Sequence, residues 1–355
     1  MKKYKVLIVG CGNMGTSHAR AYHKLEQFEI AGLVSRTEES RRKLNNELGG
    51  KIMEYSSFEE GLKNATPDVV CISTYPETHA EYAIKSLEAG AHVFVEKPLA
   101  NTVEESIAVV EAAKKSDKKL VIGYILRVHP AWKKFTEIAK TLGTPLVMRM
   151  NLNQQSSGAN WKTHKSLMNT MSPIVDCGVH YIDVMCQMTS SKPIQVSAIG
   201  AKLTDEIDEK MYNYGQLQVT FDNGSVGWYE AGWGPMISET AFFVKDVIGP
   251  NGCVSIIDSE LKDNSQDIEG HTKTGSLKLH HSLLDKQGNF AKKDEIIDTS
   301  EEPDHDGLCQ LEQEFLLDAI INDRDLTEHQ EAAVQSLQVV LAADQAFKTG
   351  KTIKI

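Results

Sequence analysis

The stretch that limits the fold most lies near the amino terminus, where an apolar run ending at Val9 leads directly into Gly10-Cys11-Gly12-Asn13-Met14-Gly15. The run predicts a buried strand, and a helix is predicted to follow to about Glu26. Glycines in this spacing between a strand and a helix are typical of a turn that binds a dinucleotide, because they permit a tight turn and a close approach of backbone to pyrophosphate. We expect cofactor contacts from Gly10, Gly12, Asn13, Met14 and Gly15. A glycine-rich turn that binds nothing is the alternative.

The first 125 residues or so alternate apolar strands with helices. Further strands are predicted at Ile30–Val34, Lys51–Tyr55, Pro67–Ser73, from His92 and at Leu120–Gly123, and helices at Glu38–Leu48, from Ser57, at Glu77–Ala89 and at Val103–Lys115. This alternation predicts right-handed βαβ units around a parallel sheet. The predicted fold class is therefore α/β, with a doubly wound parallel sheet of the Rossmann type in residues 1–125 and a second domain in residues 126–355.

The end of the second predicted strand bears on cofactor choice. Chains that bind NAD usually have a carboxylate here to bind the ribose hydroxyl, whereas an arginine can accommodate the extra phosphate of NADP. This chain has Ser35-Arg36, with Arg41 and Arg42 following. The pattern favours NADP, with contacts from Ser35 and Arg36. The alternative is that Arg36 only stacks on the adenine and either cofactor binds.

Lys97 follows an apolar strand and is itself followed by a proline, in Val93-Phe94-Val95-Glu96-Lys97-Pro98. The proline ends the strand, so Lys97 is predicted at the carboxyl edge of a parallel sheet, where such sheets bind ligands. A surface lysine that closes a strand is the alternative. The preceding strand ends at the same edge, and we expect further cofactor contacts from Thr74, Pro76, His79, Glu96 and Lys97.

The second part of the chain has longer strands that alternate between apolar and polar residues. They are predicted at Pro145–Asn153, Ile194–Lys202, Gly215–Phe221, Ser225–Glu230, Phe242–Gly249 and Cys253–Asp258, with turns at Asp222-Asn223-Gly224 and Pro250-Asn251-Gly252. Residues 258–306 are predicted as an irregular hairpin or loop, and helices at Leu308–Ile321 and Glu328–Lys348. This pattern predicts an α+β domain with an open, largely antiparallel sheet covered by helices on one face. The other face of the sheet also needs to be covered, which suggests a homodimer or homotetramer.

Asp176, His180 and Asp183 are spaced so that they would share one face of a helix. A carboxylate one turn from an imidazole can orient it and raise its pKa, as a proton shuttle requires. The spacing alone leaves a simpler interpretation open, in which Asp176 caps the helix and His180 is an ordinary interior histidine.

Charge and cysteine content exclude several classes of function. The net charge is -11, without a run of basic residues, which argues against nucleic acid or an anionic membrane as the main partner. No apolar stretch is long enough to span a membrane, and the start of the chain lacks the features of a signal peptide. The six cysteines are scattered without a C-x-x-C pair, which favours reduced thiols in a cytoplasmic protein and predicts no metal site.

Over nearly its whole length the chain resembles the Gfo/Idh/MocA oxidoreductases, the family of glucose–fructose oxidoreductase and inositol dehydrogenase. The resemblance rests on the glycine turn with His18, on Pro76 and His79, on Ala89-Gly90-Ala91-His92-Val93 before Glu96-Lys97-Pro98, on Gly123-Tyr124 with Arg127, and on Asp176-x-Gly178-x-His180-x-x-Asp183. It implies that Lys97 lies beside the nicotinamide and contacts the substrate, and that Asp176 and His180 complete the catalytic set.

The resemblance also implies a substrate site and a reaction. Asn160-Trp161-Lys162 is similar to a Trp-Arg segment on the family's substrate side, which gives as substrate-binding candidates Lys97, Tyr124, Arg127, Trp161, Lys162, Asp176 and His180. His129 and His164 are pocket candidates for which a structural role is the simpler interpretation. Residues 170–175 depart from the family's glycine-rich run, which leaves the substrate open.

The expected function is hydride transfer between NAD(P) and a carbinol or carbonyl carbon of a sugar, inositol or related polyol. The alternatives are a glycosidase that uses transient oxidation by NAD and a cofactor-binding sensor without chemistry.

Overall fold

A computed structural model of the chain describes residues 3–237, 244–257 and 274–355, and it divides into two compact units. Unit 1 comprises Met1–Val128 with Pro303–Val334, and unit 2 comprises His129–Glu302 with Gln335–Ile355. This division differs from the predicted one, since residues 303–334 pack with the amino-terminal part of the chain.

Unit 1 is built on a six-stranded sheet. Its strands are β1 (Tyr4–Val9), β2 (Phe28–Val34), β3 (Glu54–Tyr55), β4 (Val69–Ile72), β5 (His92–Val95) and β6 (Leu120–Ile122). They run in the order β3-β2-β1-β4-β5-β6, and every neighbouring pair is parallel. The order reverses between β1 and β4, which is the point where doubly wound sheets bind ligands. The predicted Rossmann-type fold is confirmed.

Helices cover both faces of this sheet. Unit 1 contains α1 (Asn13–Lys24), α2 (Glu38–Glu47), α3 (Phe58–Ala65), α4 (His79–Glu88), α5 (Val103–Ser116), α6 (Ile125–Val128) and α10 (His305–Ile321). On one face, strand residues such as Ile8 and Phe94 form a core with Tyr22 of α1 and Leu316 of α10. Because these side chains are almost fully buried, α10 belongs to unit 1 although it follows the second sheet in sequence.

In its described residues, unit 2 is built on a nine-stranded sheet. Its strands are β7 (Val147–Gln155), β8 (Pro193–Ala201), β9 (Tyr214–Phe221), β10 (Val226–Gly234), β11 (Lys245–Gly249), β12 (Gly252–Ile257), β13 (Ser276–His281), β14 (Glu295–Asp298) and β15 (Ile353–Lys354). They run in the order β14-β13-β12-β11-β7-β10-β9-β8-β15. Among these described strands only β7 and β10 are parallel neighbours, so the prediction of a largely antiparallel sheet is confirmed.

The two predicted turns of this sheet are present. Gly224 has φ 84° in the turn between β9 and β10, and its N–H donates to the carbonyl of Phe221 at 3.0 Å. Gly249 pairs with Gly252 across the turn between β11 and β12. Parts of two predicted strands, residues 242–243 and 258, and the first part of the predicted loop region, to residue 273, lie outside the described residues. The later part of that region contains the antiparallel pair β13 and β14.

The helices of unit 2 pack on one face of its sheet. They are α7 (Pro130–Thr141), α8 (Gly158–Leu167), α9 (Pro173–Thr189) and the last part of α11 (Thr327–Thr349). Helix α9 lies so close to β10 and α11 that a Cβ on Gly178 would be 3.0 Å from Val340 and 3.3 Å from Tyr229. The opposite face of the sheet has exposed apolar side chains, among them Val147, Val226 and Ile248. In the described part of the chain, no helix has both the length and the apolar character needed to cross a membrane.

Candidate active site

The glycine turn between β1 and α1 has the geometry that a dinucleotide requires. A Cβ on Gly15 would lie 1.8 Å from the carbonyl oxygen of Gly10, so only glycine allows this packing of helix on strand. Gly10 has φ 103°, and a Cβ there would meet the carbonyl oxygen of Ser73 at 2.3 Å. Gly12 differs, because a Cβ there would meet nothing within 4 Å. The backbone at Gly12 therefore faces open space beside the amino terminus of α1.

The amino terminus of α1 suits a pyrophosphate. Asn13 is exposed and Met14 is half-buried at the start of this helix. Its first turn has no acidic residue. On this turn, therefore, no carboxylate competes with a phosphate for the N–H groups at the helix start and for the positive end of the helix dipole. The turn, the open face at Gly12 and the helix end together fit the phosphates of a dinucleotide.

The end of β2 presents a cation and hydroxyl groups. The guanidinium of Arg36, an exposed residue, lies over the Tyr75 ring at 5.7 Å, and Tyr75 follows β4. The Ser35 hydroxyl is 2.9 Å from that of Ser40. Arg41 donates to the backbone carbonyl of Ser35, and Arg42 pairs with Glu38 on the surface of α2. Of these three arginines, Arg36 is therefore the one that lies toward the end of β4.

His79 joins the two chain segments that follow β4 and β5. Its ring nitrogens lie 3.0 Å from the carbonyl oxygen of Thr74 and 2.7 Å from that of Pro98. Burial lowers the pKa of His79. Pro76, at the start of a short 3₁₀ helix, is also buried. These contacts fix the loop after β4 against the segment that carries Lys97.

Lys97 lies directly after β5, half-buried, at the carboxyl edge of the sheet. Glu96 beside it is buried, and its carboxylate is engaged by His18 of α1 at 2.7 Å and by the backbone N–H of Lys97 at 3.1 Å. Tyr124 and Arg127 follow β6 in the same unit. Tyr124 is buried with its ring 6.2 Å from that of His329, and the nearby charge of Arg127 adds to the burial that lowers the pKa of His329 to about 3.

The second group of predicted residues lies on α9 in unit 2. His180 and Asp183 are buried and Asp176 is half-buried, in the first turn of the helix. The amino-terminal cap is Ser172, whose hydroxyl accepts the N–H of Val175 at 3.2 Å. The alternative in which Asp176 caps the helix is therefore wrong.

Helix α8 brings an imidazole near Asp176. The ring of His164 stacks on Trp233 at 4.5 Å, and its Nδ1 is 3.0 Å from the Ser156 hydroxyl. Burial lowers the pKa of His164 to about 4, and the carboxylate of Asp176 acts in the opposite direction, so the two side chains are close enough to interact electrostatically. His164 is only a pocket candidate from the sequence, because no local pattern indicates which residues of α8 face α9.

The other candidates of unit 2 lie on α8 and at the start of α7. Trp161 is buried and its Nε1–H donates to Glu206 at 3.2 Å, whereas Lys162 is exposed. His129 caps α7, where its Nδ1 accepts the N–H of Ala131 at 3.2 Å. That contact gives His129 a structural role, in agreement with the simpler of its two interpretations.

Fold and site together define a two-unit oxidoreductase with a dinucleotide-binding amino-terminal part. Two family models match the chain: "Oxidoreductase family, NAD-binding Rossmann fold" over residues 4–124 and "GFO/IDH/MocA C-terminal domain" over residues 138–242. The chain belongs to the Gfo/Idh/MocA oxidoreductase family.

Curated relatives carry the names of dehydrogenases. A UDP-N-acetylglucosamine 3-dehydrogenase of Acidithiobacillus ferrooxidans is 28% identical over 220 residues, which cover 62% of this chain and 64% of that protein. The match therefore spans less than two thirds of that relative. A scyllo-inositol 2-dehydrogenase (NAD(+)) of Bacillus subtilis is 25% identical over 365 residues, covering 98% of this chain and 95% of the relative.

Solved structures share the fold. The scyllo-inositol dehydrogenase of Lactobacillus casei with bound NAD(H) and scyllo-inositol has a TM-score of 0.78 at 20% identity, covering 99% of both chains. The aldose-aldose oxidoreductase of Caulobacter crescentus complexed with glycerol has a TM-score of 0.78 at 21% identity, covering 100% of both chains.

Proposed function

We propose that this protein is an NAD(P)-dependent dehydrogenase that acts on a ring hydroxyl group of a sugar, inositol or related polyol, in either direction. The observation that carries the proposal is the combination of a glycine turn shaped for a dinucleotide with Lys97 at the carboxyl edge of the same sheet. The names of the relatives support the substrate class, since they act on inositols or on a nucleotide sugar. Those names are of dehydrogenases, which favours this function over a glycosidase or a sensor.

The protein's part in the reaction would be to position the substrate oxygen and to move its proton. When bound, the nicotinamide supplies the hydride chemistry. His180 takes the hydroxyl proton during oxidation and returns it during reduction, and Asp176 orients the imidazole. Lys97 donates a hydrogen bond to the same oxygen and stabilises the negative charge that develops there. Tyr124, Arg127, Trp161 and Lys162 are proposed to complete the substrate contacts.

The proposed cofactor is NADP. The support is the position of Arg36, because a guanidinium binds a phosphate group through charge-assisted hydrogen bonds. Ser35 adds a hydroxyl at the same strand end, and β2 is followed by no carboxylate before Glu38. Among the relatives, NAD is the cofactor named for both scyllo-inositol enzymes. Adenine stacking by Arg36 without phosphate recognition is therefore the competing outcome.

We also propose that the protein is a cytoplasmic homo-oligomer that associates through the sheet of unit 2. Val147 pairs with Val226 on one side and with Ile248 on the other, so the three side chains form an exposed apolar row across β10, β7 and β11. Such an exposed apolar row on a sheet face suits a second copy of the chain. The six cysteines are present as thiols rather than as disulfides, which suits a reducing compartment.

The experiment that tests the catalytic proposal is turnover by the wild type and by Lys97→Met. Purified protein is incubated with NADP⁺ or NAD⁺ and a panel of polyols and sugars that includes scyllo-inositol, UDP-N-acetylglucosamine and simple aldoses. We expect one class of compound to give reduced cofactor, and Lys97→Met to bind cofactor normally but lose most turnover. Full turnover by Lys97→Met would show the role given to Lys97 to be wrong.

A further inference from the structure

A buried acid–imidazole pair, Glu96 with His18, lies next to the backbone of Lys97. His18 of α1 has no solvent exposure and Glu96 is 7% exposed. The His18 Nε2 is 2.7 Å from Glu96 Oε1. A carboxylate this deeply buried is costly unless its oxygens have partners, so the pair needs a function or a structural reason.

The second oxygen of Glu96 bonds the backbone of the residue that the proposed chemistry depends on. Glu96 Oε2 accepts the N–H of Lys97 at 3.1 Å. On another side the carboxylate packs against Gly123, where a Cβ would come within 3.2 Å of all three carboxyl atoms. The carboxylate is therefore held by His18, by the Lys97 amide and by a glycine that leaves just enough room for it.

His18 is in turn held by a residue of α10. The Gln313 amide nitrogen lies 3.0 Å from His18 Nδ1, and the His18 ring packs on that of Phe94 with centroids 4.6 Å apart. With Gln313 donating to Nδ1, the proton of a neutral imidazole is on Nε2, where it donates to Glu96.

His18 also belongs to a group that has the composition of a metal site, since ligand atoms of His18, Cys309 and Glu312 lie within 4.8 Å of one another. Both ring nitrogens of His18 are engaged by Glu96 and Gln313, however, and a neutral imidazole has only one lone pair to give. The arrangement is therefore better suited to orienting Glu96 than to holding a cation.

We propose that Glu96 is a positioning residue for Lys97, and that His18 ties this position to the helix that begins at the glycine turn. His18 lies one turn into α1, whose amino terminus is proposed to bind the pyrophosphate. A displacement of α1 would move His18, then the carboxylate, and then the backbone at Lys97. This inference rests on the proposed function, because it assigns Glu96 a role only through Lys97.

The test is a comparison of Glu96→Gln and Glu96→Asp with the wild type. Glu96→Gln keeps the size of the side chain but cannot accept from both His18 and the Lys97 amide. Glu96→Asp keeps the charge but is shorter by one methylene. We expect kcat with the best substrate of the panel to fall about 10- to 100-fold in both variants, since a shift of about 1 Å in a reacting group costs rates of this order. Cofactor Kd should change little, whereas Tm should fall, because each variant leaves a buried hydrogen-bonding group without its full partner.

A double-mutant cycle separates positioning from a general effect on structure. In a Lys97→Met background, Glu96→Gln should lower the residual rate no further, because the group that it positions is absent. Glu312→Gln is the matched control. Burial and the Glu96 carboxylate raise the pKa of Glu312 well above its usual value. The amide keeps the size of the side chain, and among the described residues the Glu312 carboxyl oxygens have no hydrogen-bond partner that the amide would lose. We expect wild-type kcat from Glu312→Gln.

Hydrogen exchange gives a readout independent of turnover. Exchange of the segment that contains Lys97 should slow when NADPH is added to the wild type and should slow less in Glu96→Gln. The inference is overturned if both Glu96 variants keep wild-type kcat, or if Glu96→Gln lowers the rate equally with and without Lys97. If Lys97→Met itself keeps full turnover, the proposed function fails instead, and the two failures are thus distinguishable.

Discussion

Replacing Gly12 by alanine should separate cofactor binding from folding. Gly12 caps α1 with φ −83° and ψ −165°, a conformation open to any residue, and its Cβ would meet nothing within 4 Å. The cost to the free energy of unfolding should therefore be about 1 kcal/mol or less, which reflects the poorer capping by alanine. In the cofactor complex the added methyl group would occupy space that the pyrophosphate needs. We expect Gly12→Ala to weaken cofactor binding at least about 10-fold, or about 1.4 kcal/mol.

Gly15→Ala is the informative contrast. Its Cβ would lie 1.8 Å from a backbone oxygen of Gly10, and neither the strand nor the helix can give way as a flexible side chain would. Such overpacking typically costs about 1–3 kcal/mol and can cost more. Gly15→Ala should therefore lower stability clearly, whereas Gly12→Ala should not.

The assay is a fluorescence titration of each variant with NADPH and NADH, with urea unfolding of the same preparations. Wild-type affinity of Gly12→Ala for both cofactors would show that the pyrophosphate does not lie against Gly12. A loss of stability as large as that of Gly15→Ala would show that the open space at position 12 does not exist.

Three further predictions address cofactor choice, pH dependence and assembly. Arg36→Ala should weaken NADPH binding about 10- to 100-fold by loss of hydrogen bonds to a charged group, and should leave NADH binding unchanged. The control variant Arg42→Ala should bind both cofactors as the wild type does in parallel titrations. Equal losses of affinity for both cofactors in Arg36→Ala would indicate adenine stacking. Burial lowers the pKa of Lys245 to about 7, below its unfolded value, so stability should fall as pH drops from about 10 to 7, by up to about 1.4 kcal/mol per unit. In urea unfolding, Lys245→Met should flatten the dependence of unfolding free energy on pH. An unchanged dependence would show that it does not come from Lys245. Val226→Lys should shift sedimentation toward the monomer without lowering Tm, and wild-type sedimentation would place the interface elsewhere.

Features carried by contiguous residues could be predicted from the sequence. The glycine turn, the end of β5 at Lys97 and the hairpin at Asp222-Asn223-Gly224 each depend on a few neighbouring residues and on local backbone geometry. The spacing of Asp176 and His180 fits one face of a helix, and both residues lie on α9.

Features that depend on distant residues could not be predicted. The network behind Lys97 joins His18 to Glu96 across 78 positions and to Gln313 across 295. No pattern near Gln313 indicates that α10 packs on the first sheet, and for that reason the predicted domain division assigned it to the second. The parallel pairing of β7 with β10 and the approach of His164 to Asp176 likewise follow from tertiary packing rather than from local sequence.

The most direct test of the central claim is cofactor reduction by the wild type and by His180→Ala in the same panel of polyols and sugars. We expect that the wild type, with NADP⁺ or NAD⁺, oxidises at least one inositol or sugar. We expect His180→Ala to bind cofactor with wild-type affinity but to turn over the same substrate far more slowly. If no compound of this class is oxidised and no corresponding ketone is reduced, or if His180→Ala is fully active, the proposed dehydrogenase mechanism is contradicted.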